Sequence, residues 1–181
     1  MNFDLDLTVA LLARTPAVLN AQLRNLPAAW TDAREGPDTM SPREVVAHLV
    51  GADITNWMPR LNAILHNGMT QPLPPFDREA QIRENAATLL PALLDEFSAM
   101  RSRRLSELAA LHLTPTDLAR TGTHPALGTV TAAQLLATWA AHDMTHLHQI
   151  ARILANQYRD AVGPWSRFLG VLHCNGHSAN T

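Results

Sequence analysis

Apolar residues recur at intervals of three and four over four stretches of the chain, the spacing that lines one face of an α-helix. The first predicted helix begins near Leu5 and is interrupted at Thr15-Pro16, where Thr can cap and Pro can open a continuing helix that runs to about Leu26. The second has the clearest start: Ser41-Pro42-Arg43-Glu44 combines an N-cap Ser, a Pro at the first helical position and a Glu placed for a capping box. It is expected to reach about Asn67, with Pro59 kinking its later part and Gly68 ending it. The third is capped by Asp77, re-initiates around Thr88 to Pro91, and continues through Leu93, Leu94, Phe97, Met100 and Leu108 toward Leu111. The fourth opens on a second capping box, Thr131 with Gln134, and ends at the latest by Gly163-Pro164. No alternating strand pattern competes. The expected class is therefore all-α, a four-helix bundle whose topology the loop lengths leave open. Residues 1–181 read as one domain, with the structure of the tail from about Trp165 unassigned.

Composition narrows the function classes. The formal net charge is -2, and all 14 basic residues are Arg. The densest basic cluster, Arg101, Arg103 and Arg104, reads as a solvated helix face, so nucleic-acid binding is not expected. No apolar run approaches the ~18 residues that a membrane span needs, and Met1 to Leu7 carries acids without a positive leader region. A single cysteine, Cys174, forms no internal disulfide. These features together make a cytoplasmic protein the expectation.

Nine histidines are many for this chain, and their placement is more informative than their number. His142 and His146 stand four residues apart on the fourth helix, which puts both imidazoles on one face, one turn apart. Leu135, Trp139 and Gln149 lie on the same side, so the pair should point inward. His48 sits among Val45, Val46, Leu49 and Ala52 on an otherwise apolar face of the second helix. Each histidine alone is explained by a satisfied structural role, because buried imidazoles ordinarily find hydrogen-bond partners. Taken together they match a catalytic-type metal site, in which three protein ligands leave one coordination position open. Asp143 projects about 100° away from His142 around the helix and is read as supporting a ligand or lying at the surface. His148, about 200° from His146, is read as outside the site. His66 and His112 fall near helix ends, and His124 precedes the fourth helix within reach of the pocket mouth. His173-Cys174-Asn175-Gly176-His177 lacks a defined ligand spacing and is a weak zinc signal.

The segment Trp139-Ala-Ala-His142-Asp-Met-Thr-His146-Leu-His-Gln-Ile-Ala-Arg152 resembles the last-helix signature of the DinB/YfiT-like superfamily of metalloenzymes. Glu44 to His48-Leu49 resembles its second-helix histidine motif, and His124-Pro125-Ala-Leu-Gly128 resembles the turn before the last helix in many members. The resemblance covers nearly the whole chain. It implies a four-helix bundle binding one divalent transition metal through His48, His142 and His146, with zinc or nickel the expected ion. It also implies a small-molecule substrate, acted on by a hydrolase or by a transferase that uses a low-molecular-weight thiol as cosubstrate. No general base is marked by the motif. The alternative is a non-catalytic metal-binding or scaffold protein, stress-related, in which the ion ties two helices together. A homodimer formed through an exposed apolar helix face is compatible with a bundle of this size.

Overall fold

The computed structural model describes residues 2–75, 77 and 80–174. The first predicted helix is two: α1 (Leu5–Leu12), capped by the Asp4 carboxylate, and α2 (Thr15–Leu23) with Pro16 in its first turn. A short α3 (Ala28–Thr31) follows. The Ser41/Glu44 capping box starts α4 (Pro42–Thr55) as the sequence predicts. Pro59 acts three residues ahead of itself. Lacking an amide hydrogen and crowding the preceding turn, it breaks the helix at Asn56, and α5 (Trp57–Asn67) runs on to a stop at Gly68, whose φ is +57°. Asp77 accepts from the Ala80 amide at the head of α6 (Ala80–Glu84), and α7 (Leu90–Ala110) carries Pro91 in its first turn. The one-turn α8 (Pro115–Leu118) has its own capping box, and the Thr131/Gln134 box starts α9 (Ala132–Asn156), which ends well before Gly163. Two 3-10 turns, Gly163–Phe168 and Gly170–Leu172, carry the chain back onto α9.

The helical bundle is as the sequence predicts, with one short element added. Between α8 and α9 the chain forms an antiparallel hairpin of β1 (Thr121–His124) and β2 (Gly128–Thr131), pairing Thr121 with Thr131 and His124 with Gly128. Four residues per strand are too few to show a period of two, which is why the pattern is silent there. The hairpin lies hard against α5. A Cβ on Gly122 would stand 2.8 Å from Ile64 Cγ1, so glycine alone fits that strand position.

Side-chain contacts settle the topology. Arg43 reaches the Ala86 carbonyl while Arg104 reaches the carbonyls of Asp53 and Ile54, so α4 and α7 run parallel. Arg24 pairs with Asp95 and Asn20 meets Ser98, so α2 opposes α7. Trp57 stacks on Trp139 while His48 meets His146, so the α4–α5 arm opposes α9. Leu12 packs in the core with residues of the first turns of α9, and Leu19 and Leu23 pack with Ile150 and Ile153, so the first arm runs along α9. The bundle is up–down–down–up.

Two apolar clusters fill it. One gathers Leu12, Leu61, Ile64, Leu108, Leu136 and Trp139 at one end; the other gathers Leu19, Val46, Phe97, Ile150 and Ile153 at the opposite end. Between them lies a layer of buried polar groups comprising His48, Asp53, Arg101, Asp143 and His146. Among the described residues, no helix is long and apolar enough to cross a membrane.

Candidate metal centre

His48 lies one turn past Glu44, whose carboxylate closes the capping box at the start of α4, so that box also sets where His48 falls along the bundle. His142 and His146 face it from α9. Nε2 of His48 and Nε2 of His142 are 3.2 Å apart, and Nε2 of His142 and Nε2 of His146 are 3.1 Å apart. One nitrogen from each residue lies within 4.8 Å of the other two. His48 and His146 are buried, while His142 is half-exposed, so the cluster is reached from its side.

His146 Nδ1 lies 2.8 Å from Gln149 Oε1 and donates to it, because an amide oxygen accepts only. That bond fixes the tautomer and leaves the Nε2 lone pair directed at the cluster centre. Hydrogen bonding alone is a poor account of the arrangement, since one proton on His142 Nε2 would have to be shared between two contacts. A single cation takes all three lone pairs at once. For a tetrahedral ion with imidazole nitrogens at 2.0–2.1 Å, ligand nitrogens stand roughly 3.3 Å apart, close to the two separations from His142.

A ring wall closes one side. Trp57, the first residue of α5, meets His142 edge-on with centroids 5.1 Å apart and stacks on Trp139 at 5.8 Å. The Trp139 indole donates to Asp53 Oδ1 at 3.2 Å. Among the described residues, Trp57 Nε1 and the neighbouring Asn56 Oδ1 are buried without hydrogen-bond partners, an unrelieved desolvation at the helix break.

Behind the histidines sits a group that sequence reasoning placed wrongly. Arg101 is not on a solvated face. It is 1% exposed and donates to Asp53 through Nε and Nη2, at 2.7 and 3.0 Å, and to both oxygens of Asp143 through Nη1 and Nη2. It also donates to the Leu12 carbonyl, and Thr15 Oγ1 donates to Asp143 Oδ2 at 2.6 Å. The available signal was register: Arg101 continues the stripe of Leu94, Phe97 and Leu108 on the inner face of α7. Asp143 is accordingly a fully buried support beside a candidate ligand, not a surface group. Burial pushes the Asp53 carboxyl up to about 6, with the Asp143 charge adding to the effect and Arg101 opposing it. Burial opposes the Arg101 charge as well, but its hydrogen bonds to both carboxylates, with their charges, outweigh it and raise its pKa.

The other histidines fall elsewhere. His148 is exposed, its Nε2 3.2 Å from Cys174 Sγ. His66 bonds the Asn62 carbonyl at the surface, His112 lies two residues past α7 with a φ of +45°, and His173 donates to the Ser166 carbonyl. His124 sits in β1 beside Arg60. His177 lies outside the described residues.

This bundle has known counterparts. YfiT from Bacillus subtilis, described as a probable metal-dependent hydrolase with an unusual four-helix bundle topology, superposes with a TM-score of 0.74 at 19% identity, covering 87% of this chain and 89% of that one. TT2238, described as a four-helix bundle protein, gives a TM-score of 0.54 at 20% identity, covering 82% of this chain and 98% of that one. At such identities the likeness concerns the fold. No curated protein matches the chain. The DinB superfamily model matches residues 11–150, a span that contains all three clustered histidines, and the chain belongs to the DinB superfamily.

Proposed function

We propose that the protein is a metal-dependent hydrolase holding one divalent transition metal through His48, His142 and His146. The convergence of three imidazole nitrogens on two facing helices, His142 Nε2 standing 3.2 Å from His48 and 3.1 Å from His146 with all three within 4.8 Å of one another, carries this reading. The description of the structurally similar YfiT supports hydrolysis over transfer to a low-molecular-weight thiol. Three imidazoles suit zinc and nickel alike, and three protein ligands leave room for a fourth.

A bound ion supplies Lewis-acid polarisation of a substrate oxygen and activation of water. The chain's residues do the rest. Gln149 fixes the His146 tautomer, Trp57 and Trp139 wall off one side from water, and His142 marks the open side. Among the described residues no carboxylate joins the histidine cluster, and both neighbouring aspartates are engaged by Arg101. Proton transfer therefore falls to a substrate group or to solvent at the open side.

Elemental analysis of the purified, untagged protein and of His142→Ala/His146→Ala tests the reading. About one transition metal per chain, absent from the variant, is expected. No metal in either protein after growth in metal-replete medium would overturn it. Hydrolysis is then tested with panels of ester, amide and lactam substrates, with and without added thiol. Turnover that requires the thiol would move the assignment to a transferase.

A further inference from the structure

His124 makes contacts that fix its tautomer. Its Nδ1 accepts from the backbone amides of Ala126 and Leu127, both at 3.2 Å, in the turn between β1 and β2. An imidazole nitrogen that accepts carries no proton, so the single proton of the neutral ring is on Nε2. Yet Nε2 faces another donor, Arg60 Nη1, at 3.4 Å. Two N–H groups thus point into one space, with no acceptor between them among the described residues.

Both groups are held there by the fold. Arg60 Nε and Nη2 donate to the Pro74 carbonyl at 3.0 and 2.9 Å, which fixes the guanidinium plane and turns Nη1 toward the hairpin. His124 is set by the strand register and by the turn amides. Both side chains are half-exposed, within reach of a ligand. Arg60 has no carboxylate partner among the described residues, although burial already works against its charge. Burial, and then the Arg60 charge, also hold the His124 pKa below the ordinary histidine value, which favours the neutral tautomer. A negatively charged oxygen between the two would accept from both, relieve the donor–donor opposition and neutralise the guanidinium.

We propose that Arg60 and His124 form a binding subsite for an oxyanion, the carboxylate or phosphate group of a small molecule. Arg60 stands one turn along α5 from Trp57, whose ring lies on His142. The subsite stands on its own geometry. Its role as the anchor for the charged end of a substrate rests on the reading of the histidine cluster as the reacting centre.

The test uses the full chain with 15N-labelled histidine and NMR detection of the ring nitrogens. His124 is expected as the Nε2–H tautomer. Inorganic phosphate and acetate, titrated separately at constant ionic strength, should shift its resonances saturably. Tighter saturation by phosphate identifies a phosphoryl ligand, and tighter saturation by acetate a carboxylate. Arg60→Gln should weaken the response at least about tenfold, as expected for loss of a charged hydrogen bond, and leave metal content unchanged. An Nδ1–H tautomer, a shift that does not saturate with either anion, or an undiminished response in Arg60→Gln overturns the subsite. The wild-type titration decides the matter even where the variant folds poorly, and metal content reports independently on the histidine cluster.

Discussion

Arg101 of α7 grips Asp53 of α4 through two parallel hydrogen bonds, Nε to Oδ2 at 2.7 Å and Nη2 to Oδ1 at 3.0 Å, with both side chains essentially free of solvent. The same guanidinium binds Asp143, the residue next to His142. One cation therefore fastens both helices that carry the clustered histidines.

Removing that cation strands two buried carboxylates. Arg101→Met is expected to destabilise the fold by on the order of 3–5 kcal/mol, the usual result of breaking a buried ion pair from one side. Adding Asp53→Asn and Asp143→Asn to the same variant should restore a substantial part of that loss. Urea unfolding of the three proteins measures both effects. Equal stability of wild type and Arg101→Met would contradict the arrangement.

The Asp53 carboxyl sets a pH dependence. Its pKa is raised from an ordinary carboxyl's 3.8 to about 6 in the folded chain, so the native state binds this proton more tightly than the unfolded state does. The contribution is fully present below about pH 4 and declines as pH rises through about 6. Thermal melts across that window should show wild type losing stability relative to Asp53→Asn as pH rises. A gap that widens in favour of wild type would reverse the sign and refute the assignment.

Gln149 acts on the cluster through His146. Gln149→Leu removes the acceptor at Nδ1 and should weaken zinc binding about 10–100-fold, the usual effect of losing a ligand's outer partner. Gln149→Glu keeps an acceptor and should retain affinity. Competition against a chromophoric chelator reads both.

Metal removal should lower the melting temperature of the wild type by roughly 5–10 °C from a state with ion at about a hundredfold excess over its Kd, given the linkage and the size of the chain. His48→Ala/His142→Ala should be insensitive to the same chelator. Insensitivity of the wild type would remove the ion from the account of this bundle.

At Gly122 the hairpin and α5 approach too closely for any side chain. Gly122→Ala places a Cβ 2.8 Å from Ile64 Cγ1 and is expected to destabilise the protein by about 1–3 kcal/mol, as overpacking does. Calorimetry of that variant tests whether the hairpin is packed as described.

The helices and the histidine cluster were legible in the sequence because both announce themselves locally. Capping boxes at Ser41 and Thr131 are four-residue signals, and the spacing of His142 and His146 translates directly into one helix face. What the pattern concealed depends on distant pairing. Arg101 looks like one of three surface arginines until Asp53 and Asp143, 48 and 42 residues away, supply its partners. The hairpin is too short to show its period, and its close fit to α5 at Gly122 comes from a contact 58 residues away. The up–down–down–up order likewise follows from which ends meet, which periodicity does not encode.

The polar layer between the two apolar clusters has a further consequence. Each cluster draws on all four arms of the bundle, so each end is glued shut by its own contacts. The middle is then a seam in which the Arg101 pairs with Asp53 and Asp143 fix how the arms sit along one another. With those pairs kept, side chains at the histidine positions of the seam can change its chemistry while both ends stay closed.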